Sequence, residues 1–128
     1  MVKPRILIVD DDDGILQILR GICESMGCEV SIAQNGKAAL EKINNETFTI
    51  VISDIRMPQM DGVSLLNEIE KRGLDLPVII MSGFSDYSAE EIDQRNGVVL
   101  LEKPFSKQQI QEVIESFVRF LPKADDAS

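Results

Sequence analysis

The sequence contains no histidine. Imidazole is therefore unavailable as a general acid or base or as a metal ligand, and the chain has no part to play as a histidine phosphocarrier or histidine kinase. Any chemistry must run on carboxylates, hydroxyls and amines. Basic residues are also scarce, with 13 Lys and Arg against 22 Asp and Glu for a formal net charge of −9. Binding to nucleic acid or to an anionic membrane rewards clustered cations, so neither is expected. The acidity suits a cation or a basic partner surface, or no more than solubility. Cysteines number two. Cys23 and Cys28 stand in apolar surroundings at a spacing that matches neither a metal site nor a disulfide framework, and both are expected to be buried free thiols. No apolar run exceeds strand length, and Met1-Val2-Lys3-Pro4-Arg5 lacks the apolar core of a signal peptide. A cytoplasmic location without membrane insertion is the expectation.

What is present is enough for one domain: 128 residues, 44% of them hydrophobic, sufficient for a sheet covered by helices on both faces. Arg5 to Asp10 (RILIVD) is a continuously apolar run ending in acid, the pattern of a strand buried on both faces. Asp10 to Asp13 form a run of four aspartates before Gly14. Helical periodicity then begins, with Ile15, Ile18, Leu19, Ile22, Cys23 and Met26 on one face and Gly27 as the stop. Asp12 and Asp13 fall at that helix N-terminus, where the macrodipole favours negative charge. Asp10 and Asp11 have no such explanation.

Cys28 to Ala33 alternates as a half-buried edge strand, and Gly36 to Asn44 reads as a short helix with Ala39, Leu40 and Ile43 inward. Phe48 to Gly62 (FTIVISDIRMPQMDG) carries a β-branched run that stops at Ser53-Asp54, followed by a turn-prone segment. Asp61 caps the next helix, which buries Leu65, Leu66 and Ile69 and ends at Gly73. Leu76 to Met81 is a further strand, ending at Ser82-Gly83. Residues 85–96 form a weakly anchored helix with a capping box at Ser88 and Glu91 and only Tyr87, Ala89 and Ile92 as an apolar stripe. Val98 to Leu101 is the fifth strand, ending at Glu102-Lys103-Pro104. Ser106 with Gln109 makes a second capping box ahead of a helix marked by Ile110, Val113, Ile114, Phe117 and Leu121. Residues 122–128 are expected to be a disordered tail, leaving residues 1–121 as the domain.

Five alternations of strand and helix with short connections favour an α/β fold, a parallel sheet in a three-layer sandwich with five helices. In a flavodoxin-like strand order, 2-1-3-4-5, the ends of strands one, three, four and five share one rim of the sheet. That rim would hold Asp10, Asp11, Asp54, Ser82 and Lys103. Each alone has an ordinary explanation: a strand end, a turn, a solvated cation, a helix cap. Their appearance together at four strand ends does not. Three adjacent carboxylates need a compensating charge, and hard oxygen donors suit Mg²⁺. A carboxylate beside Mg²⁺, with a lysine and a hydroxyl in reach, is an arrangement for phosphoryl transfer, with Asp54 attacking in line to become an acyl phosphate.

The segments ILIVDDDDG (Ile6 to Gly14), SDIRMPQMDG (Ser53 to Gly62), PVIIMSG (Pro77 to Gly83) and LEKPF (Leu101 to Phe105) occur in this order over essentially all of residues 4–121. In them the sequence resembles the receiver domain of two-component response regulators. The resemblance implies Asp54 as phosphoacceptor, Asp10 and Asp11 as metal-binding acids, and the backbone carbonyl of Arg56 as a further ligand for Mg²⁺, or for Mn²⁺ in its place. It also implies Ser82 as the hydroxyl that bonds the phosphoryl group, Lys103 as the site lysine, and a cis peptide at Lys103-Pro104. The implied function is a phosphorylation-dependent switch that takes phosphate from a histidine kinase or histidine phosphotransfer protein and changes its contacts with an output partner. Leu100 departs from the pattern: receivers commonly place Tyr or Phe there as part of the switch. Output is then expected to rest on the Ser82 loop and the 85–96 helix. Arg56 and Phe84 occupy positions that tune phosphoryl lifetime in the family.

Three rivals remain on sequence grounds. A calcium loop with Gly14 as its glycine puts Val9 at the first ligand and Arg20 at the last, which disfavours it. A haloacid-dehalogenase-like phosphatase would use Asp10 as nucleophile and Asp12 as acid/base. For its metal acid it would need Glu112, Glu115, Asp125 or Asp126, and the chain has no room for a substrate cap. A third class, a receiver-like interaction module that takes no phosphate, is disfavoured by the intact set of five residues.

Overall fold

The computed structural model describes residues 3–57, 60–83 and 97–118. Five strands, β1 (Arg5–Val9), β2 (Glu29–Ala33), β3 (Ile50–Asp54), β4 (Val78–Ser82) and β5 (Val98–Glu102), form one parallel sheet in the order β2-β1-β3-β4-β5. The described helices are α1 (Asp13–Ser25), α2 (Gly36–Asn45), α3 (Gly62–Lys71) and α4 (Lys107–Val118). The helix expected over 85–96 lies outside the described residues, as do Phe84, Leu121 and the 122–128 tail with Asp125 and Asp126.

The continuous apolar runs of β1, β3 and β4 are explained by burial on both faces. One face, with Ile6, Ile8, Ile50, Ile52, Ile79 and Met81, packs under Leu16, Leu19, Ile22 and Cys23 of α1 and Ile110 and Ile114 of α4. The opposite face, with Leu7, Val9, Val51, Val78 and Ile80, packs under Ala39 and Ile43 of α2 and Leu65, Leu66 and Ile69 of α3. The result is the flavodoxin-like three-layer sandwich, with β2 at an edge. Cys23 and Cys28 are free and buried, and burial pushes the Cys23 thiol up to about 12 and raises that of Cys28.

Local signals set the helix ends. Asp12, Asn35 and Asp61 each accept a backbone N–H from the first turn of α1, α2 and α3. Ser106 and Gln109 bond each other's backbone N–H reciprocally at 2.7 and 3.1 Å, completing a capping box ahead of α4. Gly27 and Gly73 take the left-handed conformation just past α1 and α3, with φ of +86° and +68°.

One expectation is corrected. Ile18, placed above on the inward face of α1, is 61% exposed, whereas Leu16, absent from that face, is fully buried. The buried stripe centres on Leu19, and a neighbouring residue is turned about 100° around the helix, so Ile18 points outward.

Candidate functional site

The carboxyl ends of β1, β3, β4 and β5 meet at one rim, as expected of ligand sites in open parallel sheets. Asp10 follows directly on β1. Its N–H donates to the Ala33 carbonyl at 3.1 Å, which holds it in line with the sheet, and the residue is 1% exposed. Oδ1 accepts the Asp12 N–H at 2.9 Å. Oδ2 is buried and has no hydrogen-bond partner, alone in this among the side chains of the described residues. Burial pushes the Asp10 carboxyl up to about 6; the Asp12 N–H works against this, the Asp54 charge adds to it, Lys103 opposes it and Asp11 adds again.

The four-aspartate run divides by function. Asp12 Oδ1 accepts the N–H groups of Gly14 and Ile15 at 2.9 and 3.3 Å, so this side chain is committed to capping α1. Asp13 opens the helix. Asp10 and the exposed Asp11 are left to the rim.

Asp54 is the last residue of β3 and 8% exposed. Its Oδ2 lies 3.2 Å from Lys103 Nζ, and its Oδ1 receives a long 3.4 Å bond from the Arg56 N–H. Behind it, the Ser53 hydroxyl donates to the Asp54 carbonyl at 2.9 Å. Carboxylate oxygens of Asp10, Asp11 and Asp54 lie within 4.8 Å of one another. An all-oxygen set with a buried, unpartnered Asp10 oxygen fits a hard divalent cation, which would satisfy that oxygen and offset the surplus negative charge.

Ser82 ends β4 and is 1% exposed. The register places Met81 opposite Asp54 and Glu102 opposite Ser82, so hydroxyl and lysine follow the acceptor across the sheet. The Lys103 N–H donates to the Ser82 carbonyl at 2.8 Å, and the Lys103-Pro104 peptide is cis. Leu100 is half-buried on β5 and packs against the α2/α3 core. The structure therefore gathers Asp10, Asp11, Asp54, Ser82 and Lys103 at one rim, with Arg56 just beyond β3.

Two glycines were not legible as site residues from the sequence. A Cβ on Gly62 would press on the Asp54 carbonyl oxygen and lie 2.9 Å from the Ile55 Cα; one on Gly36 would overlap the Met60 main chain. The Gly62 N–H also donates to the Ile55 carbonyl at 2.9 Å, closing the connection that leaves Asp54. Each partner is distant in sequence or hidden in a loop, so no periodicity announces the contact.

Comparison with known proteins agrees with this geometry. The chain is 33% identical over 118 residues to the transcriptional regulatory protein FixJ of Bradyrhizobium diazoefficiens, covering 91% of this chain and 58% of FixJ. It is 36% identical over 116 residues to the DNA-binding transcriptional regulator NtrC of Escherichia coli K12, covering 90% of this chain but only 25% of NtrC. The chain thus spans little more than half of one relative and a quarter of the other. Among solved structures, a Francisella response regulator 1452 receiver domain superposes with a TM-score of 0.82 at 32% identity, covering 93% of this chain and all of that one. The sequence pattern of the response regulator receiver domain matches residues 6–115, from the first core strand into the last described helix. With fold, rim and sequence in agreement over that span, the chain belongs to the family of response regulator receiver domains.

Proposed function

We propose that Asp54 accepts a phosphoryl group from a phosphohistidine on a partner histidine kinase or histidine phosphotransfer protein, and that the modified rim changes the protein's contacts with an output partner. The observation that carries this is the Lys103 ammonium 3.2 Å from Asp54 Oδ2, beside a buried Asp10 oxygen with no partner of its own.

Asp54 attacks phosphorus in line, the phosphorus–nitrogen bond to the partner imidazole breaks, and an acyl phosphate remains on Asp54. A carboxylate nucleophile needs no general base, in keeping with a chain without histidine. Lys103 sets its charge against the oxygens of the transferring group, and the Ser82 hydroxyl donates a hydrogen bond to one of them. Asp10, Asp11 and Asp54, with the Arg56 carbonyl, would hold Mg²⁺ or Mn²⁺, which supplies the remaining positive charge to the phosphoryl oxygens. Phosphorylation then favours one of two conformations, with Ser82 and Leu100 on the moving side and output at the surface of β5 and α4. Residues 1–121 are taken as the receiver unit. A cytoplasmic setting suits a soluble partner kinase domain, and no helix among the described residues is long and apolar enough to cross a membrane.

The phosphatase alternative is weakened by Asp12, whose carboxylate caps α1 instead of facing the rim. The calcium loop fares worse, since Val9 is fully buried within β1. Labelling with acetyl phosphate, read by intact mass, separates the candidates. Asp54→Asn should abolish the acyl phosphate. Its survival in that variant, with loss only in Asp10→Asn, would move the nucleophile to Asp10.

A further inference from the structure

The start of α2 lies against the connection that leads from Asp54 to α3. Gly36 is the first residue of α2 and is buried. A Cβ there would overlap the Met60 carbonyl oxygen and stand 2.7 Å from the Met60 Cβ and 2.9 Å from its Cγ. The nearest of these atoms is main chain, so no rotamer change clears it; helix or connection must shift. Neither helix end can yield by fraying. The Asn35 side chain fixes the start of α2 through the Ala38 N–H at 2.8 Å, and the Asp61 side chain fixes the start of α3 through the Ser64 N–H at 2.7 Å. Met60 is followed by Asp61 and then by Gly62, which abuts the Asp54 carbonyl and bonds to Ile55. A push on Met60 is therefore passed within two residues to the main chain at Asp54.

From this geometry we infer that Gly36 is a positioning residue for the acceptor site: the start of α2, seated on Met60, sets where the main chain of Asp54 to Arg56 stands. The inference rests on the phosphoryl-transfer reading of Asp54 for its consequence, though not for the contact itself.

The test compares Gly36→Ala with Ile43→Val, a buried position about two turns further along the same helix. Amide NMR shifts of the metal-free protein, Mg²⁺ titration and acetyl-phosphate labelling are measured on each. Gly36→Ala should displace the Ile55, Arg56 and Gly62 resonances and weaken Mg²⁺ binding about fivefold or more, with slower labelling. Ile43→Val should lower Tm while leaving all three readouts as in the wild type. Adding Met60→Gly to Gly36→Ala removes the side-chain part of the overlap and should restore part of the affinity. Shifts confined to α2 with wild-type Mg²⁺ affinity would overturn the inference, and so would an equal loss of affinity in Ile43→Val. If Gly36→Ala does not fold, Asn35→Ala, which frees the start of α2 from its cap, probes the same seat. Weaker Mg²⁺ binding there supports the inference and unchanged binding overturns it. A wild-type chain that forms no acyl phosphate would refute the phosphoryl reading instead, while the Ile55 and Gly62 shifts would still decide the role of Gly36.

Discussion

β1 carries a charged cluster at each end, and the two follow opposite rules. At the amino end the Arg5 guanidinium bonds Glu46 at 2.7 Å and the Thr47 carbonyl at 2.9 Å, lies 3.5 Å from Glu29, and stacks 5.1 Å over the Phe48 ring. The Arg5 main chain bonds Thr49 in both directions. One cation is surrounded on several sides by groups from β2 and from the turn between α2 and β3. At the carboxyl end three carboxylates converge, the described lysine contact goes to Asp54, and an Asp10 oxygen has no partner. The first cluster is saturated and serves to tie strands together. The second is left short of positive charge, which costs stability in isolation and favours the binding of a cation.

Substitutions can break this contrast at either end. The largest effect is expected from Asp54→Asn, which should reduce labelling by acetyl phosphate to background while leaving the far-ultraviolet spectrum intact. Lys103→Ala comes next: removing one preorganised cation from the transfer site should slow acyl phosphate formation by about a hundredfold, measured by rapid quench at saturating Mg²⁺.

The unpartnered Asp10 gives a pH signature. Its folded-state pKa of about 6 lies above the ordinary 3.8. The folded state therefore binds this proton more tightly than the unfolded chain. The group costs nothing below pH 4, and its penalty grows as pH rises through 6, to about 3 kcal/mol. Asp10→Asn should thus gain stability relative to the wild type as pH rises from 4 to 7, by urea denaturation without metal. A difference independent of pH would contradict the assignment. Mg²⁺ should stabilise the wild type more at pH 7.5 than at pH 5, because below about 6 the cation must displace a proton.

The smallest effect belongs to the saturated end. Its ion pairs are partly exposed, so Arg5→Ala should lower stability by about 1 kcal/mol, less in high salt, with Mg²⁺ affinity and labelling unchanged. A matching loss of labelling would show that the two ends are not independent.

The saturated cluster was invisible in the sequence, because Arg5, Glu29, Glu46 and Phe48 share no motif and meet only once β1 is paired. The rim was legible for the converse reason. In a parallel sheet every strand ends at the same side, so residues read at four strand ends, Asp10, Asp54, Ser82 and Lys103, are brought together by topology alone. Helix starts were equally plain at Asp61 and at Ser106 with Gln109, since capping is decided within four residues. Ile18 was misplaced because apolar residues at 15, 16, 18, 19, 22 and 23 cover more of α1 than one face can bury. Only packing decides which edge of so wide a stripe turns to solvent. The close contacts of Gly36 and Gly62 went unread, since a missing side chain leaves no trace in a hydrophobicity pattern.

The bond from the Lys103 N–H to the Ser82 carbonyl has a mechanical consequence. Ser82 and Lys103 are thereby joined main chain to main chain, one residue past the end of β5. A displacement of the Ser82 main chain is therefore felt at Lys103 without any intervening side chain, and the two residues of the rim shift as one.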